Sequence, residues 1–148
     1  MLRTLVALIV ALFGLTGAAG AGADEDAVRH LLHTAFDKPE QKLVIEPLVV
    51  GAGYAIAGWT QGDMGGRALL QNKHGRWTLI LCAGDGIKTA DALRQAGVAS
   101  DAADALAQAL TKAEQSVAAE RLAMFARFEG LLRIDEAGDH PPIPHHKH

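Results

Sequence analysis

Tyr54-Ala55-Ile56-Ala57-Gly58-Trp59-Thr60-Gln61, then Arg67 to Gln71, then Arg76-Trp77-Thr78-Leu79-Ile80-Leu81-Cys82: short apolar runs separated by glycine-rich breaks decide the fold of this chain. Each run has the length of a strand and carries branched or aromatic residues, while Gly62-Asp63-Met64-Gly65-Gly66 and Asn72-Lys73-His74-Gly75 read as turns between them. Upstream, Leu43 to Val50 is equally branched but contains Pro47, which suits an edge strand or a bulge. Gly51-Ala52-Gly53 joins it to Tyr54 as a hairpin. Successive strands with short turns imply an antiparallel meander.

On either side of this centre the pattern changes to helix. From Asp24 the chain places acids first and then Val28, Leu31, Leu32 and Phe36 at helical spacing, a helix that ends before Pro39. Beyond Ala83-Gly84-Asp85-Gly86 the sequence becomes alanine-rich. Thr89 to Ala96 reads as a short helix stopped by Gly97. Ser100 is the expected N-cap of a longer one with Leu106, Ala109, Leu110, Ala113 and Val117 as its apolar stripe. Ala119 to Phe128 reads as a third piece with Leu122, Met124 and Phe125 inward, and Phe128 to Ile134 as a short closing strand. The expected class is α+β: an antiparallel β-meander of about four to five strands, one face packed against the N-terminal helix and the C-terminal helices.

Arg3, the apolar run Leu5 to Leu15 and the small residues Ala21-Gly22-Ala23 before an acidic stretch form a secretory signal, expected to be cleaved. The run is shorter than the ~20 residues of a spanning helix, so no membrane anchor is expected after cleavage. Three segments follow: a signal peptide at 1–23, a single domain at 24–135 and a Pro/His-rich tail at 136–148. About 125 mature residues suffice for one core without staples. The net charge of −3 is dispersed, which gives no footprint for nucleic acid. Cys82 is the sole cysteine, so in an oxidising compartment it is buried, metal-bound or paired with another molecule. A bacterial periplasm fits the signal.

The tail carries the clearest chemical signal. His140-Pro-Pro-Ile-Pro-His145-His146-Lys147-His148 concentrates four of the chain's seven histidines on a segment that proline keeps out of regular structure. Imidazoles gathered on a flexible chain can ligate copper, zinc or nickel without a preformed cavity. His30 and His33, three apart on the first helix, are a weaker candidate pair, and the Leu31-Leu32 between them lacks the glutamate of a zinc-protease motif. Met64 and Cys82 are soft ligands suited to Cu(I), and His74 in its turn is a further candidate. Trp59 and Trp77 read first as core anchors and Arg67 as a partner for Asp85. No nucleophile, base and orienter are spaced as a motif, so an enzyme is not expected.

The run Tyr54 to Trp59, then Gly65-Gly66-Arg67-Ala68-Leu69-Leu70, His74-Gly75-Arg76-Trp77 and Leu81-Cys82-Ala83-Gly84-Asp85, resembles the small exported bacterial family of copper uptake system-associated proteins. The likeness continues to Phe125, Phe128, Glu129 and Gly130. It implies a periplasmic role in copper handling and identifies no ligand set. With the tail, it sets the leading expectation: a non-enzymatic accessory protein of copper uptake or homeostasis that binds or delivers Cu(II) or Cu(I), alongside a copper transporter or chaperone. The alternative is an interaction module docking on a transporter or assembly factor, with Trp59 and Arg67 as contact residues and the tail incidental.

Overall fold

A computed structural model describes residues 18–134. Within them the order is α1 (Ala18–Phe36), β1 (Val44–Gly51), β2 (Tyr54–Gln61), β3 (Met64–Lys73), β4 (Arg76–Ala83), a 3-10 turn at Asp85–Ile87, α2 (Ala90–Gln95), α3 (Ser100–Glu114), α4 (Ala119–Phe125) and β5 (Leu131–Arg133). The strands form one antiparallel sheet in chain order, β1-β2-β3-β4-β5. This is the expected α+β class, with the closing strand present. The expected signal-peptide residues before Ala18 and the whole 136–148 tail lie outside the described residues.

Turn chemistry sets the register. Ala52 and Gly53 at φ 51° and 79° close the β1–β2 hairpin, and His74 and Gly75 at 54° and 81° close β3–β4. Two successive residues with positive φ match the right-handed twist of a two-residue hairpin, and glycine in the second place lowers its cost. At the β1 edge the register shifts between Ile45 and Leu48, where the Glu46–Pro47 peptide is cis. The displaced carbonyls find partners there: Arg121 Nε donates to Glu46 O at 2.9 Å and its Nη2 to Val44 O at 3.1 Å.

Both faces of the sheet are covered, not one. Tyr54, Ile56, Leu69 and Leu81 face α2 and α3, packing on Leu93, Leu106 and Leu110. Ala55, Ala57, Ala68 and Leu70 point the other way, toward Val28 and Leu32 of α1. Successive strand residues alternate faces, so a sheet buried on both sides needs continuous apolar runs. The alanines of β2 and β3 supply the second apolar face, and polar residues there would have been the sign of a solvated one. A further shift between Leu69 and Leu70, opposite Leu79 to Leu81, puts Ile80 as well as Leu81 on the α2–α3 side.

Three local expectations change. Met64 belongs to β3, not to the turn, which shrinks to Gly62-Asp63. Ala99 is the N-cap of α3, with no side-chain cap, and Ser100 is already helical. The buried residues of α3 are Ala102, Ala103, Leu106, Leu110 and Glu114, with Ala113 part-buried on the same core as expected; Ala109 is exposed and Val117 lies beyond the end of the helix. The Thr89 cap of α2 is formed, its side chain accepting from Ala92 N.

The chain after α4 crosses from one face to the other over the sheet end. Phe125 is fully buried beside Gly58 on the α3 face, whereas Phe128 packs on Trp59 in the α1 cluster. Glycines make the passage possible. A Cβ on Gly65 would stand 2.8 Å from Met124 O, and one on Gly84 would stand 2.6 Å from Phe128 O. The crossing backbone therefore rests directly on the backbone of β3 at Gly65 and of the bend that follows β4 at Gly84. β5 then pairs with Leu81–Ala83 of β4 and completes the sheet.

Candidate functional site

The candidate ligands of the domain are held on separate elements. Met64 opens β3, Cys82 pairs with Ala68 four residues along it, and His74 follows its far end. At about 3.3 Å per residue, Met64 and Cys82 are about 13 Å apart along the strand direction and Met64 and His74 about 30 Å. One ion, with bonds near 2.3 Å, spans neither gap. His30 is exposed on α1, while His33 Nδ1 lies 3.1 Å from Asp37 Oδ1. Among the described residues no group of three or more His, Cys, Asp or Glu is assembled to hold a metal.

Asp37 is the most heavily engaged of these surface groups. Leu43 N donates to its Oδ1 at 2.8 Å, and Lys42 Nζ stands 3.8 Å from its Oδ2. The backbone bond from Leu43 first, and then the bond to His33, hold its carboxyl below the ordinary 3.8.

Arg67 is spent inside the protein. Its side chain is 1% exposed; Nε donates to Glu114 Oε1 at 2.6 Å and Nη1 to Asp85 Oδ1 at 3.0 Å. The guanidinium lies over the Phe125 ring, 5.1 Å from its centroid. The Asp85 partnership read from sequence is present. Glu114, which closes the α3 stripe, is the partner that sequence reading missed. It is buried on an otherwise apolar helix face, and only a cation waiting in the core explains that placement. A buried pair of this kind fixes α3 over β3 and leaves Arg67 no access to a docking partner.

Cys82 is 8% exposed, and burial pushes its thiol up to about 12. It is a neutral group near pH 7, not a nucleophile. Its side chain helps line an apolar cavity of about 160 Å³ between α1 and the sheet, walled also by Phe36, Trp59, Phe128, Leu132 and Ile134. Phe36, 38% exposed, is the wall residue most open to solvent. Trp59 meets Phe128 edge to face, with ring centroids 5.9 Å apart. The two tryptophans differ in their donors. Trp77 Nε1 reaches Asp24 Oδ1 at 3.2 Å, whereas Trp59 Nε1 is buried with no partner.

The described residues thus present a sheet covered on both faces, an ion pair of Arg67 and Glu114 buried beneath α3, and an apolar recess beside α1. No helix among the described residues is long and apolar enough to cross a membrane. Comparison with protein-family models, with characterised proteins and with solved structures gives no match for this chain.

Proposed function

We propose that this chain is a non-enzymatic accessory protein of copper uptake or homeostasis in the periplasm, and that its tail gathers the metal. The observation that carries the reading is the clustering of His140, His145, His146 and His148 within nine residues. Chelation needs several imidazoles that can reach one ion, and a proline-spaced chain supplies them without a folded cavity. The resemblance of the Tyr54 to Asp85 run to copper uptake system-associated proteins supports the choice of copper over zinc. Within the domain, by contrast, Met64, His74 and Cys82 are spread over about 30 Å of sheet. The domain serves as the body to which the ligand-bearing tail is attached.

A second reading, an interaction module that docks on a transporter or assembly factor, is favoured by one observation. The apolar recess beside Trp59 and Phe36 is a place where an apolar group from a partner can be buried.

Copper titration of the mature protein beside a version ending at Gly138, with zinc as competitor, tests the first reading. Copper binding that exceeds zinc binding and disappears with the tail is the expected result. Equal binding of both metals makes the tail an unselective chelator and favours the docking reading. Undiminished copper binding by the shortened chain overturns the assignment to the tail.

A further inference from the structure

The two edges of the sheet are treated differently. Along β1, Pro47 removes a donor, and Arg29 and Arg121 occupy the carbonyls of Val44, Ile45 and Glu46. Along β4 the cover is partial. β5 pairs with Leu81–Ala83, and Ile134 N adds one bond to Ile80 O at 2.9 Å. In the hairpin closed by His74 and Gly75, Lys73 with Arg76 and Gln71 with Thr78 are the hydrogen-bonded pairs, so the backbone N–H and C=O of Trp77 and Leu79 face the outer edge. Among the described residues no backbone group pairs with them there. Such groups need partners, and an open run of them is a template for another strand.

The next residues of the chain are placed to supply one. β5 runs antiparallel to β4, so the chain leaves Ile134 heading along the open stretch toward the His74–Gly75 turn. Leu131 lies opposite Ala83 and Arg133 opposite Leu81, and the same count brings residue 140 opposite residue 74. The irregularity of β4 between Leu79 and Leu81 moves this by about one residue. Six residue steps separate Ile80 from His74 and six separate Ile134 from His140, about 20 Å of extended chain in each case. The sequence of 135–140, Asp-Glu-Ala-Gly-Asp-His, contains no proline, and His140 precedes Pro141, a position biased toward extended backbone. Pro141 and Pro142 then end the ladder. Charge agrees with this path: Asp135, Glu136 and Asp139 approach an end of the sheet that carries the exposed Lys73 and Arg76.

We propose that residues 135–139 extend β5 along the open edge of β4 and seat His140 beside His74, so that both imidazoles hold the copper ion gathered by the tail. His145, His146 and His148 follow five to eight residues later, a length of chain that lets them reach the same ion. His74 sits exposed on a tight hairpin turn and gives the tail one anchored ligand. The shared site rests on the copper reading of the tail; the strand does not.

Two comparisons on the full chain test it. The first is amide hydrogen exchange without metal, in the parent and in Glu136→Pro. Because Ile134 donates to Ile80, the N–H of Glu136 is the next to face β4, and proline removes it. The Trp77 and Leu79 amides are expected to exchange about tenfold more slowly in the parent, with Thr78, bonded to β3, alike in both. Equal exchange of Trp77 and Leu79 in the two proteins overturns the strand. The second is Cu(II) titration of the parent, His74→Asn, Glu136→Pro and the double variant; asparagine tolerates the positive φ at 74 and lacks the imidazole. Each single change is expected to weaken binding about tenfold, and the second to add nothing to the first. Tail-dependent binding that His74→Asn leaves within about twofold overturns the shared site and leaves the copper reading intact. No Cu(II) binding by the parent overturns both, while the exchange comparison still decides the strand.

Discussion

Gly84→Ala is the sharpest perturbation of this fold. The added Cβ would lie 2.6 Å from Phe128 O and 3.0 Å from Phe125 O, against an ordinary contact of 3.4 Å or more. Both neighbours are main-chain oxygens, so no side-chain rotation relieves the clash. The crossing segment must lift by about 0.8 Å, which loosens Phe125 and Phe128 on opposite faces of the sheet together. Overpacking of this kind costs about 2–3 kcal/mol, and a domain of this size then melts about 10 °C lower. Gly86, two residues on, is the matched control: a Cβ there meets nothing within 4 Å and its φ lies outside the left-handed region. Gly86→Ala should be neutral or gain about 0.5 kcal/mol by restricting the unfolded chain. Urea unfolding of both variants, with unchanged slope as the condition for comparison, makes the measurement. Equal stability of the two would refute the claim that the crossing segment rests on the bare backbone of the bend after β4.

Other expectations follow from the same geometry. Glu114→Ala leaves the Arg67 cation buried with Asp85 as its remaining carboxylate and should cost about 3 kcal/mol, whereas the double change Arg67→Met with Glu114→Leu should recover most of the loss; urea midpoints of the three proteins decide it. Alkylation of Cys82 by iodoacetamide at pH 8 should be about a thousandfold slower in the folded than in the unfolded chain, the ratio set by a thiol raised from 9.0 to about 12; a rate within tenfold of the unfolded one would contradict its burial. Because Asp37 is held below 3.8 when folded, its contribution is fully present above 3.8 and is lost as pH falls through its lower folded value. The stability difference between the parent and Asp37→Asn, measured at pH 6 and pH 3, should therefore shrink at the lower pH.

Much of the sheet was legible because its punctuation is chemical. Gly51-Ala52-Gly53 and His74-Gly75 announce tight turns, and Pro47 marks an edge, so β2 runs from Tyr54 to Gln61 as read. The second covered face was harder to see. Ala55, Ala57 and Ala68 suit a helix-covered surface and a partly open one equally, and only the position of α1 decides between them. The pairing of Arg67 with Glu114 joins residues 47 apart in sequence and leaves no local pattern, apart from a glutamate on an apolar stripe. The contacts at Gly65 and Gly84 were hidden for a related reason. Glycine in a strand signals that something approaches, not what approaches. Of the candidate site, the histidine tail is a reading of composition that lies outside the described residues, whereas the scatter of Met64, His74 and Cys82 depended on strand register.

Residue-resolved Cu(II) broadening tests the central claim most directly, because the paramagnetic ion erases amide signals around whatever binds it. A substoichiometric addition to the ¹⁵N-labelled full chain is predicted to erase signals around His140, His145, His146 and His148, while those of Met64 and Cys82 persist. Broadening centred on Met64, on His74 or on the His30 and His33 turn of α1, with the tail signals intact, would contradict the account.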